Sequence, residues 1–333
     1  MRQIYLVGIK LRKLKVFLLV SLEIVWYNKV FQITFYTLRR RDMSVLESIL
    51  LGIVQGITEF LPVSSSGHLS ILQNIFHIET NGSMLFDIML HLGTLVAVFV
   101  VYHKDIWKMI LEALLMVRDI FVNLRLFILN RIHKTSLKYT RIVHNSYRKF
   151  VVLILVSTFP TGVLGILGKD LVELSSETLL IPGICLLITG VLLLMADHVR
   201  EGRKMPREVS YPVGLIIGTA QGIATLPGLS RSGTTIAVCL LCGLDRKFAV
   251  KYSFILSIPA ILGAAVLEIK DVIAEPIAPS QIGIYGIGTV FAAVVGYICI
   301  KTMLIVVRNK KFSYFSYYCF AVGLFAIAGH FLL

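Results

Sequence analysis

Ten apolar runs divide this chain, at about 45–61, 66–78, 84–101, 150–167, 179–196, 212–227, 232–244, 251–267, 283–305 and 314–333. A helix needs about 20 such residues to cross a bilayer, and four of the runs are too short or too polar for that. Those four lie in pairs, within 45–78 and 212–244, around one phrase that the chain writes twice. Gly52-Ile53-Val54-Gln55-Gly56-Ile57-Thr58-Glu59-Phe60-Leu61-Pro62-Val63-Ser64-Ser65-Ser66-Gly67-His68 returns 166 residues later as Gly218-Thr219-Ala220-Gln221-Gly222-Ile223-Ala224-Thr225-Leu226-Pro227-Gly228-Leu229-Ser230-Arg231-Ser232-Gly233-Thr234. Seven of the first sixteen positions match without a gap, and Ser-x-Ser-Gly follows Gln by nine residues in both copies. Each pair reads as a broken, re-entrant helical hairpin, since non-helical backbone at bilayer depth is tolerated only where protein or a wet cavity satisfies it.

A mean hydropathy of +0.82, with 56% hydrophobic and 16% charged residues, places the chain among all-α integral membrane proteins. Loop charge then sets orientation. The 102–149 segment holds ten Lys or Arg against Asp105, Glu112 and Asp119 and is expected on the cytoplasmic side, as are 197–211 and the cluster Arg308, Lys310, Lys311. The connections at 168–178 and 268–282 lean acidic and belong outside. These assignments alternate if each half is one hairpin plus three crossings. Three is odd, so the second half must be upside down relative to the first. The predicted architecture is a polytopic helical bundle of two inverted repeats: 43–196, including a cytoplasmic insertion at about 102–149, and 197–333. Inverted repeats with interrupted helices place their site near the midplane, at the repeat interface.

The net charge of +14 follows from topology and anionic lipid, and without an aromatic-basic module nucleic acid is not an expected partner. Cys185, Cys239, Cys242, Cys299 and Cys319 lie in or beside apolar runs and read as packing. Residues 1–42 form a basic extension that reads as an interfacial amphipathic helix, because Glu23, Asn28, Lys29 and Gln32 interrupt its apolar stretch. No small-residue cleavage site follows an apolar core there, so a cleavable signal is not expected, and Met43 reads as an alternative start.

The two copies differ where chemistry would live: Glu59 against Thr225, Ser65 against Arg231, His68 against Thr234. Ionisable groups at bilayer depth cost several kcal/mol unless paired or wet. Mutual neutralisation of Glu59 and Arg231 would meet that cost but leaves the crowd of hydroxyls and glycines unexplained. Glycine-containing turns that open helices aim N–H groups at one spot, where the helix dipole favours an anion. Arg231 adds bidentate recognition of phosphate oxygens. Eight hydroxyl residues (Thr58, Ser64, Ser65, Ser66, Ser230, Ser232, Thr234 and Thr235) and four glycines (Gly56, Gly67, Gly228 and Gly233) crowd the two turns, and phosphate or pyrophosphate fits such a cradle better than carboxylate because the donors outnumber what one carboxylate can use. A carboxylate beside such a cradle would repel the anion unless a cation lay between, so Glu59, with Gln55 one turn earlier on the same face, is a candidate for a divalent metal. His68, three residues after Ser65, is a candidate general base or nucleophile. The remaining histidines (His77, His91, His103, His133, His144, His198, His330) form no cluster in the sequence and read as interfacial.

From about Met43 to the C-terminus, Gln55-x-x-x-Glu59 with Phe60-Leu61-Pro62-Val63-Ser64-Ser65-Ser66-Gly67-His68, and Pro227-Gly228-Leu229-Ser230-Arg231-Ser232-Gly233-Thr234-Thr235, resemble the two signature motifs of the bacterial undecaprenyl-diphosphate phosphatase family associated with bacitracin resistance. The resemblance implies removal of one phosphate from undecaprenyl diphosphate, which regenerates the lipid carrier of cell-wall synthesis, with Mg²⁺ or Ca²⁺ required. It implies a catalytic set of Glu59, Ser65, His68 and Arg231, with Ser65 or His68 as nucleophile, and a diphosphate held by Arg231 with Ser64, Ser66, Gly67, Ser230, Ser232, Gly233 and Thr235 around it. It also implies a multi-pass protein of the bacterial inner membrane acting at the outer face. Membrane lipids are expected partners, and a homodimer the expected assembly. A transporter or flippase of a phosphate-bearing lipid or organic anion is the competing expectation, because inverted repeats around a midplane anion site are also transporter architecture.

Overall fold

Two breaks organise the fold, and both arise from local chemistry. The computed structural model describes residues 43–75, 84–176, 178–274, 279–308 and 311–332. The expectations for residues 1–42 and for His77 lie outside these. Helix α1 (Val45–Phe60) opens on a capping box in which the Ser44 hydroxyl accepts from Glu47 N at 3.2 Å and Ser44 N donates to the Glu47 carboxylate at 2.8 Å. It stops at Leu61, which is extended as a residue before proline tends to be. Ser64 then takes a left-handed φ of 69° and the chain restarts as α2 (Ser65–Ile75). The second break has the same parts in a different order: α7 (Tyr211–Ile223) ends ahead of Pro227, Gly228 turns with φ 87°, and Ser230 caps α8 (Arg231–Leu241). None of these four helices reaches spanning length.

The helices between them do. Among the described residues six are long and apolar enough to cross a membrane: α3 (Met84–His133), α4 (Ser146–Leu167), α6 (Leu180–His198), α9 (Arg246–Ala274), α10 (Pro279–Arg308) and α11 (Phe312–Leu332). A short α5 (Lys169–Ser176) joins α4 to α6, and the described residues hold no strand beyond an isolated bridge between Lys204 and Leu244. This is an all-helical, multi-pass membrane protein.

The glycines shared by the two phrases turn out to be packing residues. A Cβ on Gly52 would lie 2.3 Å from the Gly288 carbonyl oxygen of α10, and one on Gly218 would lie 2.0 Å from the Ser157 carbonyl oxygen of α4. Each short helix therefore presses its backbone against a long helix of the other half, α1 on α10 and α7 on α4. Small residues permit such approach where lipid removes any hydrophobic drive for association. Hydroxyls fix both contacts. Ser48 donates to Ile284 O at 2.6 Å and accepts from Gly288 N at 3.1 Å, while Ser157 donates to Gly214 O at 2.6 Å. Between these contacts lies an aromatic core in which Phe60 meets Phe254 edge-on at 5.3 Å and Tyr252 is fully buried against Phe150 and Phe248.

One element departs from the sequence reading. The basic 102–149 segment, expected as a cytoplasmic loop, is helical as far as His133: the 50 residues of α3 are two helices that meet in a kink at Tyr102. At 1.5 Å per residue that is about 75 Å, more than twice a hydrocarbon core. Residues 134–145 then return along it. Asn123 exchanges two 2.8 Å hydrogen bonds with the Thr140 backbone, and Arg148 reaches Glu112 at 2.7 Å and Asp119 at 2.6 Å. Charge counting registers the basic residues but not the apolar periodicity between them.

Candidate active site

The two Ser-x-Ser-Gly turns meet. A Cβ on Gly67 would stand 3.1 Å from Gly228 Cα, and one on Gly233 would stand 3.1 Å from Pro62 Cβ, so the starts of α2 and α8 abut almost backbone to backbone. In each turn the first serine is a helix cap: Ser64 Oγ accepts from Gly67 N at 3.3 Å and Ser230 Oγ from Gly233 N at 3.1 Å. Both pairs of outer serines repeat the same spacing, Ser64 to Ser66 at 3.3 Å and Ser230 to Ser232 at 3.4 Å. The shared residues thus build one capped helix N-terminus twice. α6 braces the second turn, with Thr189 Oγ1 accepting from Ser230 N at 3.0 Å.

The unequal residues converge between the two turns. Glu59, on the last turn of α1, is 5% exposed and uses both carboxylate oxygens. Oε1 is paired with the Arg231 guanidinium, and Oε2 accepts from Ser65 Oγ at 2.7 Å and from Gln55 Nε2 at 3.0 Å. A buried ion pair of this kind costs about 3–5 kcal/mol to break by removing one partner, because the other charge is left stranded. These groups open on a cavity of about 330 Å³ lined by Glu59, Ser64, Ser65, Ser66, Ser230, Arg231 and Ser232, with an apolar wall from α9 (Ala260, Ile261, Ala264 and Ala265).

Not every predicted site residue reaches this cavity. His68 is turned away: Nδ1 is 2.7 Å from Ser64 O, Nε2 is 2.7 Å from the Tyr318 hydroxyl, and its ring stacks on that tyrosine. Thr235 faces into the protein, donating to Arg231 O at 2.8 Å and paired with Ser253 at 2.5 Å. Gly67 and Gly233 serve the caps rather than the cavity lining.

The histidine that does line the cavity is His91 on α3, which by sequence alone reads as interfacial. Its Nδ1 lies 3.0 Å from Gln55 Nε2 and 3.6 Å from Glu59 Oε2. Gln55 Nε2 donates to Glu59 Oε2 and faces His91 Nδ1, which accepts from it when the ring proton is on Nε2. A signal for it exists in the sequence. Asp87 and His91 are one turn apart inside an apolar run, and ionisable residues within a span are functional candidates by default.

As for a metal, among the described residues no group of three or more His, Cys, Asp or Glu side chains stands close enough to hold one. The cavity is lined by two carboxylates, Glu59 and Glu268, and behind Glu59, outside the lining, stands Gln55 Oε1, a buried acceptor without a hydrogen-bond partner among the described residues. That set fits Mg²⁺, which takes one or two carboxylates and completes its shell with phosphate oxygens and water.

Fold and site together define an integral membrane protein in which broken helices from both halves hold a serine, a carboxylate and an arginine around a buried cavity. The chain belongs to the bacitracin resistance protein BacA family, whose model matches residues 48–325. It is 40% identical over 281 residues to the undecaprenyl-diphosphatase of Alkaliphilus metalliredigens (strain QYMF), covering 84% of this chain and 97% of the relative. It is 38% identical over 285 residues to the undecaprenyl-diphosphatase of Methanosphaera stadtmanae, covering 86% and 98%. Undecaprenyl-diphosphatase 4 of Bacillus thuringiensis (strain Al Hakam) is 36% identical over 288 residues, covering 86% and 97%.

Proposed function

We propose that this chain hydrolyses undecaprenyl diphosphate to undecaprenyl phosphate and inorganic phosphate, with Ser65 as nucleophile and Glu59 as its base. The observation that carries the assignment of roles is the Glu59 carboxylate, which holds the Ser65 hydroxyl on one oxygen and the Arg231 guanidinium on the other. An incoming diphosphate competes for Arg231, whose planar fork matches phosphate oxygens. As the guanidinium turns to the substrate, Glu59 loses its counter-ion and becomes a stronger proton acceptor. It takes the Ser65 proton, Ser65 Oγ attacks the terminal phosphorus, and the bond to undecaprenyl phosphate breaks. Glu59 passes the Ser65 proton on to the cavity and so is again a base when water attacks the phosphoserine; it takes the water's proton and hands it to Ser65 as phosphate leaves. The N-terminal N–H groups of α2 and α8 stabilise the charge on phosphorus in both steps. His91, whose Nδ1 lies 3.6 Å from Glu59 Oε2, takes a proton directly from the carboxylic acid on Nδ1 and releases its Nε2 proton to the cavity.

A divalent cation, held by Glu59 and Gln55 Oε1, would neutralise charge on the bound diphosphate. The undecaprenyl tail is far too long for a cavity of about 330 Å³, so it lies along the apolar wall of α9 and out into lipid. The reciprocal packing of α1 on α10 and α7 on α4 supports two halves of inverted topology, and the basic segments support an inner-membrane protein whose site serves the outer leaflet. Assembly as a homodimer is a separate proposal, read by the mass of the purified protein in detergent.

The deciding assay is phosphate release from a polyprenyl diphosphate by purified protein, with and without chelator. Ser65→Ala is expected to lose about 10³-fold or more in turnover, and Arg231→Ala about 100-fold or more. Near-normal turnover by Ser65→Ala, with loss in His68→Ala, would move the attacking group to His68. Activity undiminished by chelator would remove the metal.

A further inference from the structure

The arm of α3 beyond Tyr102 has two faces, and only one is accounted for. Glu112, Asp119, Asn123 and Asn130 recur at spacings of seven, four and seven residues and so form one stripe. That stripe is satisfied within the chain: Glu112 and Asp119 by Arg148, Asn123 by Thr140, and Asn130 by Leu137 and Thr135. On the opposite side, Trp107, Leu111, Leu114, Phe121, Ile128 and Ile132 form a second stripe of the same helical period. They are exposed by 62, 43, 62, 64, 47 and 67%. Arg118 and Arg125 lie within this apolar stripe and are exposed, the Arg118 guanidinium being held by Asp119 at 3.0 Å.

We infer that the arm, residues 103–133, lies on the membrane surface, with this stripe in the boundary between headgroups and acyl chains and Arg125 on anionic lipid headgroups. A second crossing is excluded by its charges, since it carries Lys104, Asp105, Lys108, Glu112, Arg118, Asp119, Arg125 and Arg131 in one helix. Residence in water is disfavoured by the length of the apolar stripe, which an interfacial helix buries about 5–10 Å deep. Charge complementarity names the lipid. The arm itself holds five Lys or Arg (Lys104, Lys108, Arg118, Arg125 and Arg131) against three acids, a net +2, and Arg125 within the stripe reaches headgroups by extending its stem along it. The returning segment, residues 134–145, covers the polar stripe and so leaves the arm free to present its apolar side to the bilayer.

The chain has two tryptophans, Trp26 and Trp107, so a reporter can be placed cleanly. In a Trp26→Phe, Trp107→Phe background, a single tryptophan is introduced by Phe121→Trp or by Ile128→Trp. The full chain is reconstituted in phosphatidylcholine vesicles containing phosphatidylglycerol, with phosphate release confirming that each variant is folded. Lipids brominated on the acyl chains should roughly halve emission from both reporters, and brominated phosphatidylglycerol should quench more than brominated phosphatidylcholine at equal mole fraction. Quenching by iodide and not by bromolipid would place the arm in water and overturn the inference. Protection from both quenchers would mean that protein covers the stripe, a second copy or residues 1–42, and would overturn it equally. Equal quenching by the two headgroups would overturn the anionic part.

Discussion

Glu59 serves two partners of opposite kind, a hydroxyl that needs a base and a guanidinium that needs a counter-ion, and the geometry allows one to be released by substrate without disturbing the other. Arg231→Lys tests that reading. A lysine keeps the charge but not the bidentate fork, and it is expected to lose about 10-fold or more in kcat/KM with the protein still folded. Turnover equal to wild type would make Arg231 a counter-ion only. His91→Gln keeps a hydrogen-bonding group beside Gln55 yet cannot carry a proton. The expected outcome is a fall in kcat of about 100-fold, an unchanged KM, and loss of one limb of the pH profile. An unaltered pH profile would reduce His91 to a packing role. At this scale the sequence is legible where a buried charge demands a partner, since Glu59 and Arg231 could hardly be left apart. It misleads at His68, whose closeness to Ser65 in the chain is undone by a helix start that turns the ring towards Tyr318.

Among the elements, both broken hairpins can be read from short apolar runs punctuated by proline, glycine and serine. The physical duty of the repeated glycines cannot, because close approach depends on which helix lies opposite. Gly218→Ala places a methyl 2.0 Å from the Ser157 carbonyl oxygen, where only backbone movement can relieve the clash. It is expected to destabilise the protein by about 1–3 kcal/mol, seen as a lower unfolding temperature in detergent. The same change at Gly263, where nothing lies within 4 Å, should leave that temperature unaltered. If both variants melt alike, the α4–α7 contact is not the constraint described. The α3 arm shows the opposite limit of sequence reading. Its basic residues are conspicuous and its apolar stripe is diluted by them, so charge outweighs period.

For the whole molecule, membrane class and two-part construction follow from hydropathy and from the duplicated phrase. The way the halves engage does not, because it rests on contacts between residues 57 to 240 positions apart. Separating the chain between Val199 and Arg200 leaves one serine-bearing half and one arginine-bearing half. Each expressed alone is expected to retain at most about one per cent of wild-type phosphate release, and co-expression to restore it. Activity in the first half alone would show that Arg231 and the α8 turn are dispensable.

The contact of Gly67 with Gly228 also bears on how the protein comes into being in the cell. Ser65 leaves the ribosome 166 residues before Arg231, so the proposed attacking group enters the membrane while its proposed clamp is still being translated. Until α8 docks, the nascent chain has a serine and a carboxylate but no means of holding a diphosphate between them. On the proposed mechanism, synthesis itself is the safety catch: an unfinished or truncated copy can sit among the diphosphate lipids of the membrane without hydrolysing them.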